Sequence, residues 1–421
     1  MKRIDQIINS NKVLFKNFTS LSILQIANYI FPIITLPYLV RVLGPEKYGL
    51  VSFATAFAAY FTIITDYGFN LSATQEISVN RNDKKRIDEI FSSIFTLKVS
   101  FFILSSIFFF VIVFFVPQFQ NHLLLFFITF LGVLGTALFP LWFYQGIEKM
   151  NYILVINVSV RLITTALVFI LIKDENDFIK LAGLNTSAQF VIGLVGLLFA
   201  FNKFQIKYIL PEKELLKMQL KNGWNLFLST VWINLYTTSN VFILGLFASA
   251  NVVGYFAAAD KIRLAFQGIL STMSQSVFPY VNKLLSESYE RFINFNRKLF
   301  KVALSAGTII SFTLFLFAET SVNIVLGKDY ESSVLVLRVI AWLPLVIFLS
   351  NVLGIQTMLP MNKHKSFAII LFFAAMINMI LSFILVPKYY EIGTAVSVLA
   401  TEIFVTMAFF VFIKKNKILI V

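Results

Sequence analysis

The sequence from Asn28 to Glu76, NYIFPIITLPYLVRVLGPEKYGLVSFATAFAAYFTIITDYGFNLSATQE, contains two apolar segments joined by a tight turn. Each segment is too long and too apolar for a soluble core helix, and the turn at 43–47 holds a glycine and a proline, so the stretch predicts a membrane hairpin. Pro32 and Pro37 lie inside the first segment, where each removes a backbone donor and kinks the helix. Asp66 lies inside the second segment, where a carboxylate is costly. Kinked helices and a buried charge together indicate a transporter rather than a simple anchor.

The composition of the chain also indicates a membrane protein. Of its 421 residues 58% are hydrophobic and only 13% are charged, and the mean hydropathy is +0.82. The absence of Cys excludes disulfides and thiolate metal sites, and two His argue against a histidine metal cluster. We therefore expect no metal site and no cofactor. The net charge of +14 would suggest nucleic acid in a soluble protein, but in a membrane protein it bears on topology, and no nucleic-acid partner is expected.

The apolar segments predict an all-α integral membrane protein with about twelve transmembrane helices in two six-helix lobes around a central cavity. Each segment is near the ~20 residues needed to cross ~30 Å of hydrocarbon. A basic, amphipathic segment at 202–222 follows the sixth of them, so we predict an N-terminal lobe at 1–201, a cytoplasmic linker at 202–222 and a C-terminal lobe at 223–421. The predicted spans are 18–40, 48–71, 91–116, 123–144, 152–172, 181–201, 223–248, 252–281, 299–320, 334–358, 367–386 and 392–413.

The distribution of basic residues predicts the orientation of these spans. If the amino terminus is inside, 24 of the 35 Lys and Arg residues lie in inside segments and 6 in outside segments. By the positive-inside rule, both termini and the 202–222 segment are then cytoplasmic. Residues 1–17 carry four of these charges and lack a small-residue cleavage pattern, which predicts a retained arm rather than a signal peptide.

The two halves of the chain look alike near their beginnings. Leu-Gly and Tyr-Gly pairs at 43–49 resemble the Leu-Gly and Gly-Tyr pairs at 244–255, although their spacings differ. Internal repeats are common in secondary transporters, but such pairs also recur by chance at membrane turns. Both interpretations stay open at the level of sequence.

Five blocks of the sequence resemble those of bacterial O-antigen and related polysaccharide flippases. These flippases form the polysaccharide-transport branch of the multidrug, oligosaccharidyl-lipid and polysaccharide exporter superfamily. The resemblance covers nearly the whole chain, and the third block is the most specific. The blocks are LPYLVRVLGPEKYGLVSFA at 36–54, DYGFNLSATQEISVNRND at 66–83, FPLWFYQGIEKMNYI at 139–153, ILGLFASANVVGYFAAADKI at 243–262 and VPKYYEIGTAVSVLATEI at 386–403.

The resemblance implies a function, a substrate and a location. The protein would move undecaprenyl-pyrophosphate-linked oligosaccharide from the inner to the outer leaflet of the bacterial cytoplasmic (inner) membrane. Its partners would be that lipid-linked oligosaccharide, the bilayer, and the polymerase and other proteins of polysaccharide assembly.

Two arginines lie deep in the predicted spans, one in each half. Arg161 lies ~14 Å from the inside surface and Arg263 ~16 Å from the outside surface, at ~1.5 Å per helical residue. A sugar pyrophosphate cannot cross hydrocarbon without such cations, because its charges and hydroxyls would lose their water. Each arginine either contacts this substrate or pairs with a buried acid, for which Asp260 and Glu402 are the candidates.

Two other charged residues, Asp66 and Arg41, each have a functional and a structural interpretation. Asp66 is either a proton-linked carboxylate or a cap on a neighbouring helix, and Arg41 either meets the pyrophosphate after transfer or is structural. Lys98 is expected to snorkel to the inside surface. The predicted substrate-binding residues are Arg161, Arg263, Arg41, Asp66, Asp260 and Glu402.

Two other classes of function stay open. A membrane-embedded polysaccharide polymerase needs a large outer loop, but the longest outside segment is only Ser321 to Ser333. The sequence also has no phosphate-cradling GxxxxGK[ST] loop, so direct nucleotide hydrolysis is unsupported. A drug or cation antiporter of the same superfamily would have more buried carboxylates than buried cations. The deep groups are Arg161, Lys261 and Arg263 against Asp260 and Glu402, a small excess of cations.

Overall fold

The structure is a computed structural model that describes residues 2–418, without the side chains of 2–16, 18, 269, 272, 275 and 276. The described chain is helical throughout, apart from short connections. Its helices are α1 (Lys2–Asp66), α2 (Phe69–Val79), α3 (Lys84–Phe115), α4 (Pro117–Gln120), α5 (Leu123–Leu138), α6 (Leu141–Gly146), α7 (Met150–Leu171), α8 (Phe178–Asn202), α9 (Lys213–Thr237), α10 (Ser239–Phe247), α11 (Ala250–Glu287), α12 (Tyr289–Leu316), α13 (Ala318–Val325), α14 (Ser333–Ile340), α15 (Leu343–Leu353) and α16 (His364–Lys415).

Many of these helices are suited to crossing a membrane. Within the described residues, eight helical segments are long and apolar enough to do so, or nine if α9 and α10, which meet at a 51° bend, form one span. Two of the eight, Thr19–Val79 and His364–Lys415, are 61 and 52 residues long. Each contains a kink, at Gly44 and Tyr390, where the backbone leaves the helical region. The protein is therefore an all-α, multi-pass membrane protein, as predicted, and the count of twelve spans stays a prediction.

The chain divides into two compact units. The first, here called the N-lobe, comprises the residues up to Phe31 together with Ala54–Val231, and the second, the C-lobe, comprises Pro32–Phe53 and the residues from Trp232 onward. The predicted lobes divided the chain once, around 202–222. The observed units differ because the middle segment of α1, residues 32–53, belongs to the C-lobe, and because the first part of α9 belongs to the N-lobe.

The predicted linker is bound tightly to the N-lobe. Its first residues run extended along α3, where the Lys207 amide donates to Asp88 Oδ1 (3.1 Å) and the Ile209 amide donates to Ser92 Oγ (2.9 Å). In α9 the Gln219 side chain is buried and donates to Glu76 Oε2 at 2.7 Å. These contacts satisfy backbone and side-chain groups that a free linker would leave to water.

The most specific family block forms the core of the N-lobe. Trp142, Phe143 and Tyr144 are at most 1% exposed and pack with α2 and α3. The Tyr144 hydroxyl donates to Gly196 O (2.5 Å). The Tyr144 ring also stacks on the ring of Tyr152. These side chains therefore stabilise the lobe rather than forming an interfacial belt.

In the C-lobe, the middle segment of α1, residues 32–53, packs closely on the beginning of α11. A Cβ atom added to Gly49 would overlap the Ala250 carbonyl oxygen, and one added to Gly254 would overlap the Pro45 carbonyl oxygen. Such close backbone contact between membrane helices requires glycine. The Tyr-Gly and Gly-Tyr pairs that look alike in the sequence thus face each other as contact partners within one lobe.

The connection between α7 and α8 is fixed by Asp177. Its carboxylate pairs with Lys180 Nζ (2.5 Å) and accepts the Lys173 amide (2.7 Å). These bonds lower the pKa of Asp177 to about 2, and the carboxylate raises the pKa of Lys180. Because the pKa of Asp177 is depressed, its contribution to stability is present above its ordinary pKa and is lost as the pH falls through about 2.

Candidate functional site

Two candidate membrane-spanning segments, Thr19–Val79 and Leu123–Gly146, are interrupted in the N-lobe. α1 ends at Asp66, and Tyr67 and Gly68 take left-handed conformations (φ 42° and 74°) before α2 begins. A Cβ at Gly68 would lie 2.8 Å from the Phe227 amide nitrogen, so glycine is required there for space as well as for backbone conformation. The second break follows α5, where Pro140 precedes α6 and lacks an N–H. Broken helices of this kind expose backbone groups that bind ions or polar side chains.

Lys98 of α3 joins these two breaks. Its ammonium lies 2.7 Å from Asp66 Oδ1 and donates to Thr136 O at 3.3 Å. In a continuous helix, Thr136 O would accept the amide four residues later, which is that of Pro140, so Lys98 satisfies the carbonyl that the proline leaves without its donor. The expectation that Lys98 snorkels to the surface is wrong. It is 1% exposed, because the helix breaks supply a carboxylate and a carbonyl inside the lobe.

The other oxygen of Asp66 has its own hydrogen-bond donor. Asn70 Nδ2 donates to Asp66 Oδ2 at 3.3 Å, and the Asp66 side chain is 26% exposed. Asp66 therefore holds Lys98 in the core, a role that the sequence analysis did not predict, while the proton-linked carboxylate and the cap on a neighbouring helix stay predictions. A role for Asp66 in substrate binding stays a prediction.

Arg161 is half-buried in the middle of α7. It shares a helix face with Asn157 and Thr164, whose side chains donate to carbonyls of the preceding turn at 2.8 and 2.9 Å. The opposite face carries exposed Val155, Leu162 and other apolar residues. No carboxylate of the described chain pairs with Arg161. The arginine thus lies on the polar side of its helix as a cation whose charge the described residues leave uncompensated.

The C-lobe brings three predicted residues together. Arg263 is 8% exposed, and its Nε lies 2.7 Å from Asp260 Oδ1, one helical turn away on α11. Glu402 of α16 is also 8% exposed and lies close enough to Arg263 and Tyr236 for electrostatic interaction. The cluster contains two carboxylates and one guanidinium. Lys261, which the sequence analysis counted among the deep cations, is exposed and does not belong to it.

Arg41 has a structural partner within the C-lobe. Its guanidinium donates to the carbonyl of Ile324 in the last turn of α13, and its side chain borders Gly327 (φ 97°). A cation at the carboxyl end of a helix satisfies a free carbonyl and interacts favourably with the helix dipole. Contact of Arg41 with a transferred pyrophosphate stays a prediction.

Comparisons with known proteins agree with this architecture. The family model described as "Polysaccharide biosynthesis protein" matches residues 14–285. A protein of Escherichia coli (strain K12) named "Putative O-antigen transporter" is 33% identical over 98% of this chain and 100% of its own. One of the same name from Shigella dysenteriae is 30% identical over 93% of this chain and 98% of its own.

Two types of solved structure share the fold. One is the lipid II flippase MurJ in an inward closed conformation, with a TM-score of 0.72 and 14% identity over 96% of this chain and 87% of that chain. Another is an inward-facing multidrug resistance transporter of the MATE family, with a TM-score of 0.67 and 12% identity over 92% of this chain and 98% of that chain. At such low identity these structures establish the fold alone.

Proposed function

Because this chain belongs to the family of polysaccharide biosynthesis proteins, we propose that it is a flippase for lipid-linked oligosaccharide in the bacterial inner membrane. Its substrate would be an undecaprenyl-pyrophosphate-linked unit of O-antigen or a related polysaccharide, moved from the cytoplasmic to the outer leaflet. The names of the two curated relatives support this class of substrate. Those relatives are transporters, and the chain is a membrane transporter rather than an enzyme.

Arg161 is the observation that carries the proposal. A lone arginine near the middle of a bilayer costs about 2.5–3.5 kcal/mol on insertion scales, and more when it is isolated in lipid. In Arg161 this cost is not offset by any carboxylate of the described chain, and the residue lies on the polar face of α7. A pyrophosphate compensates such a charge when bound, because guanidinium and phosphate form two parallel hydrogen bonds.

The proposal includes alternating access, with α1 as the hinge. α1 contributes to both lobes: residues 32–53 belong to the C-lobe and the parts of α1 before and after them to the N-lobe, so one boundary falls between Phe31 and Pro32. Pro32 lacks the N–H that would bond to the preceding turn, so the helix bends more easily there than elsewhere. Movement of the two parts of α1 about this point would open the substrate path to one leaflet and then to the other.

Substitution of Arg161 tests the function. We expect Arg161→Ala to insert at normal abundance but to abolish translocation, and Arg161→Lys to retain part of it, because the charge stays while the planar fork is lost. The measurements are membrane abundance and the translocation of lipid-linked oligosaccharide by protein reconstituted in vesicles. Arg338→Ala is the matched control, since Arg338 is exposed and forms only a surface pair with Glu319 (3.5 Å).

Two results would contradict this role of Arg161. If the residue is structural, Arg161→Ala reduces the amount of folded protein. If Arg161→Ala translocates normally at normal abundance, the residue has no part in the mechanism, and a cationic substrate site would then rest on Arg263 alone.

The C-lobe cluster favours one alternative, a drug or cation antiporter. Asp260 and Glu402 outnumber Arg263, and an excess of buried carboxylate suits a cationic substrate or a coupling ion. The two functions make different predictions for cells. Deletion of the antiporter would sensitise cells to cationic drugs and leave surface polysaccharide intact, whereas deletion of the flippase would remove the polysaccharide and cause lipid-linked units to accumulate.

The proposed orientation places both termini and the 202–222 segment in the cytoplasm. We expect no signal from a reporter enzyme, active only outside the cytoplasm, that is fused after Asn202. The same reporter fused within the predicted outside segment 173–180 should be active and serves as the positive control. A strong signal after Asn202 would overturn the predicted orientation. In the proposed orientation the polymerase would take up the transferred unit on the outer side.

A further inference from the structure

We propose that a small cavity in the C-lobe, with a mostly apolar lining that includes two serines and one asparagine, binds one sugar ring of the transported oligosaccharide, an inference that rests on the proposed function. The cavity has a volume of about 220 Å³ and is lined by Ser271, Ser274, Phe278, Asn351 and Ile355. It lies between α11 and α15. Its α11 residues follow Asp260 and Arg263 in the sequence and are not part of the cluster that these two residues form with Glu402. The residues that line it supply the Ser274 hydroxyl, the Asn351 amide and the Phe278 ring, while the Ser271 hydroxyl donates to Gly268 O (2.9 Å).

The size and charge of the cavity restrict its ligand. None of the five lining residues is charged, so a phosphate would find no compensating cation among them. Pockets for drug-sized ligands are usually about 300–1,000 Å³, so this cavity takes only a part of an oligosaccharide. A neutral, compact group with several hydroxyls meets both conditions, and a single sugar ring is such a group.

Gln356 fixes the direction in which Ser274 offers its hydrogen bond. The Gln356 side chain is fully buried, and its Nε2 donates to Ser274 Oγ (3.0 Å) and to Ser274 O (2.7 Å). Because the Ser274 oxygen accepts from Gln356, its own hydrogen is the group that remains for donation to a ligand. Gln356 is therefore a positioning residue, and Ser274 is the donor.

The backbone around Gln356 is unusual. Gly354–Met358 form a turn of π-helix, a rare conformation that is frequent at functional sites. Gln356 Oε1 is buried and has no hydrogen-bond partner among the described residues, a costly arrangement that is seldom kept without a role. The turn directly follows α15, which carries Asn351, so the same local distortion places both polar groups next to the cavity.

Asn351 and Phe278 complete the set of contacts. The Asn351 side chain makes no hydrogen bond to the described residues, and its amide offers both a donor and an acceptor. This pairing matches a sugar hydroxyl, which donates and accepts at once. The electron-rich face of Phe278 suits the C–H face of a sugar ring. Polar groups and one aromatic face are together sufficient to orient a ring.

The position of the cavity agrees with the direction of transport. Ser274 and Phe278 precede the predicted inside segment 282–301, and Ile355 precedes the predicted inside segment 359–366. The cavity therefore lies toward the side on which lipid-linked sugars are assembled in the proposed function. We infer that it holds a sugar of the substrate during loading from the cytoplasmic leaflet.

Two binding measurements on the full-length purified protein test this inference. The first probe is the free oligosaccharide released by mild acid from the lipid-linked pool of cells that lack the protein, and the second is undecaprenyl pyrophosphate without sugar. For the double variant Ser274→Ala, Asn351→Ala we expect oligosaccharide binding weakened by about tenfold or more, since two hydrogen bonds are lost. Binding of undecaprenyl pyrophosphate should be unchanged.

Controls separate the binding role from effects on folding. Ser274→Ala alone leaves Gln356 bonded to the Ser274 carbonyl oxygen, so this variant should fold even if the double variant does not. Ser305→Ala removes an exposed hydroxyl of α12, which donates only to Val302 O, and should bind both probes as the wild type does.

The inference is overturned if the wild type shows no saturable binding of the oligosaccharide, or if the variants bind it unchanged. It is also overturned if the variants lose both probes equally. Failure of the proposed function would look different, because the wild type would then not translocate the lipid-linked substrate, while the oligosaccharide measurement would still decide the role of the cavity.

Discussion

In the N-lobe the deep ion pair joins two helices, whereas in the C-lobe the deep ion pair lies within one helix. Lys98 of α3 reaches Asp66 at the end of α1 and also a carbonyl at the end of α5. Arg263 pairs with Asp260 one turn away on α11, and only Glu402 comes from another helix. The two lobes thus use similar charged groups, but the N-lobe ion pair connects different helices and the C-lobe ion pair lies within one helix.

This difference separates structural charges from functional ones. The N-lobe pair has equal numbers of cations and carboxylates, and its lysine satisfies the Thr136 carbonyl left open by the second helix break, so its first role is to hold the lobe together. The C-lobe cluster has one carboxylate more than it has cations. A cluster with unbalanced charge is better suited to bind or exchange an ion than to stabilise a fold.

Loss of Lys98 should have the largest effect on stability. Lys98→Met leaves Asp66 without its cation and Thr136 O without a donor, and removal of one partner of a buried pair costs about 3–5 kcal/mol. Since Asp66 is partly exposed, we expect the lower part of that range. The measurements are membrane abundance and the thermal unfolding of the purified variant.

A second substitution sharpens this test. In Lys98→Met, Asp66→Asn both charges are gone, so abundance should recover substantially. Lys180→Met, which breaks a pair whose lysine side chain is 65% exposed, is the control and should change stability little, because solvent screens such a surface pair. Normal abundance of Lys98→Met would show that the N-lobe pair does not stabilise the lobe, and the contrast between the lobes would disappear.

Loss of Arg263 should have an intermediate effect. Arg263→Ala leaves Asp260 and Glu402 near each other without a cation, but Asp260 retains some access to solvent, so we expect a cost of about 1–3 kcal/mol. Adding Glu402→Gln should restore stability, because it removes the repulsion. Unfolding temperatures of the single and double variants measure this coupling, and strictly additive effects would argue against a cluster of interacting charges.

The hinge substitutions should have the smallest effect on stability. Pro32→Ala with Pro37→Ala restores backbone donors within α1, so the protein should insert at normal abundance while translocation slows several-fold. Pro117→Ala is the control, since Pro117 is the first residue of α4, where a missing N–H has no consequence. Normal translocation by the double variant would show that the prolines are merely tolerated.

The sequence predicted the helices more reliably than their interruptions. Apolar length and composition are local properties, so the membrane character of the chain follows directly from them. The breaks at Tyr67 and after Leu138 depend on tertiary contacts; Gly68 and Pro140 are the residues whose types fit such breaks, but the sequence analysis did not use them. Lys98 could have been found by pairing it with Asp66, since an isolated cation and an isolated carboxylate within apolar segments require each other.

Other features of the site differ in how far the sequence could predict them. The pairing of Asp260 with Arg263 follows from their spacing of three residues, and the structure shows it. The cavity beside Ser274 does not follow from any pattern, because it depends on a π-helical turn in a different part of the chain. The likeness between residues 43–49 and 244–255 was also ambiguous, since helices in close contact and internal repeats can both produce similar glycine-containing residue pairs.

The close contact of Gly49 and Gly254 has a consequence for the order of biosynthesis. Residues 32–53 are synthesised about two hundred residues before their partners in the C-lobe, which corresponds to a wait of roughly 10–40 s at ~5–20 residues per second. During that interval the first hairpin is already in the membrane, but the helix on which it packs has not been made. The nascent chain must therefore keep the glycine face of this hairpin unoccupied by other helices until α11 arrives, and assembly of the C-lobe can be completed only after translation has passed the middle of the chain.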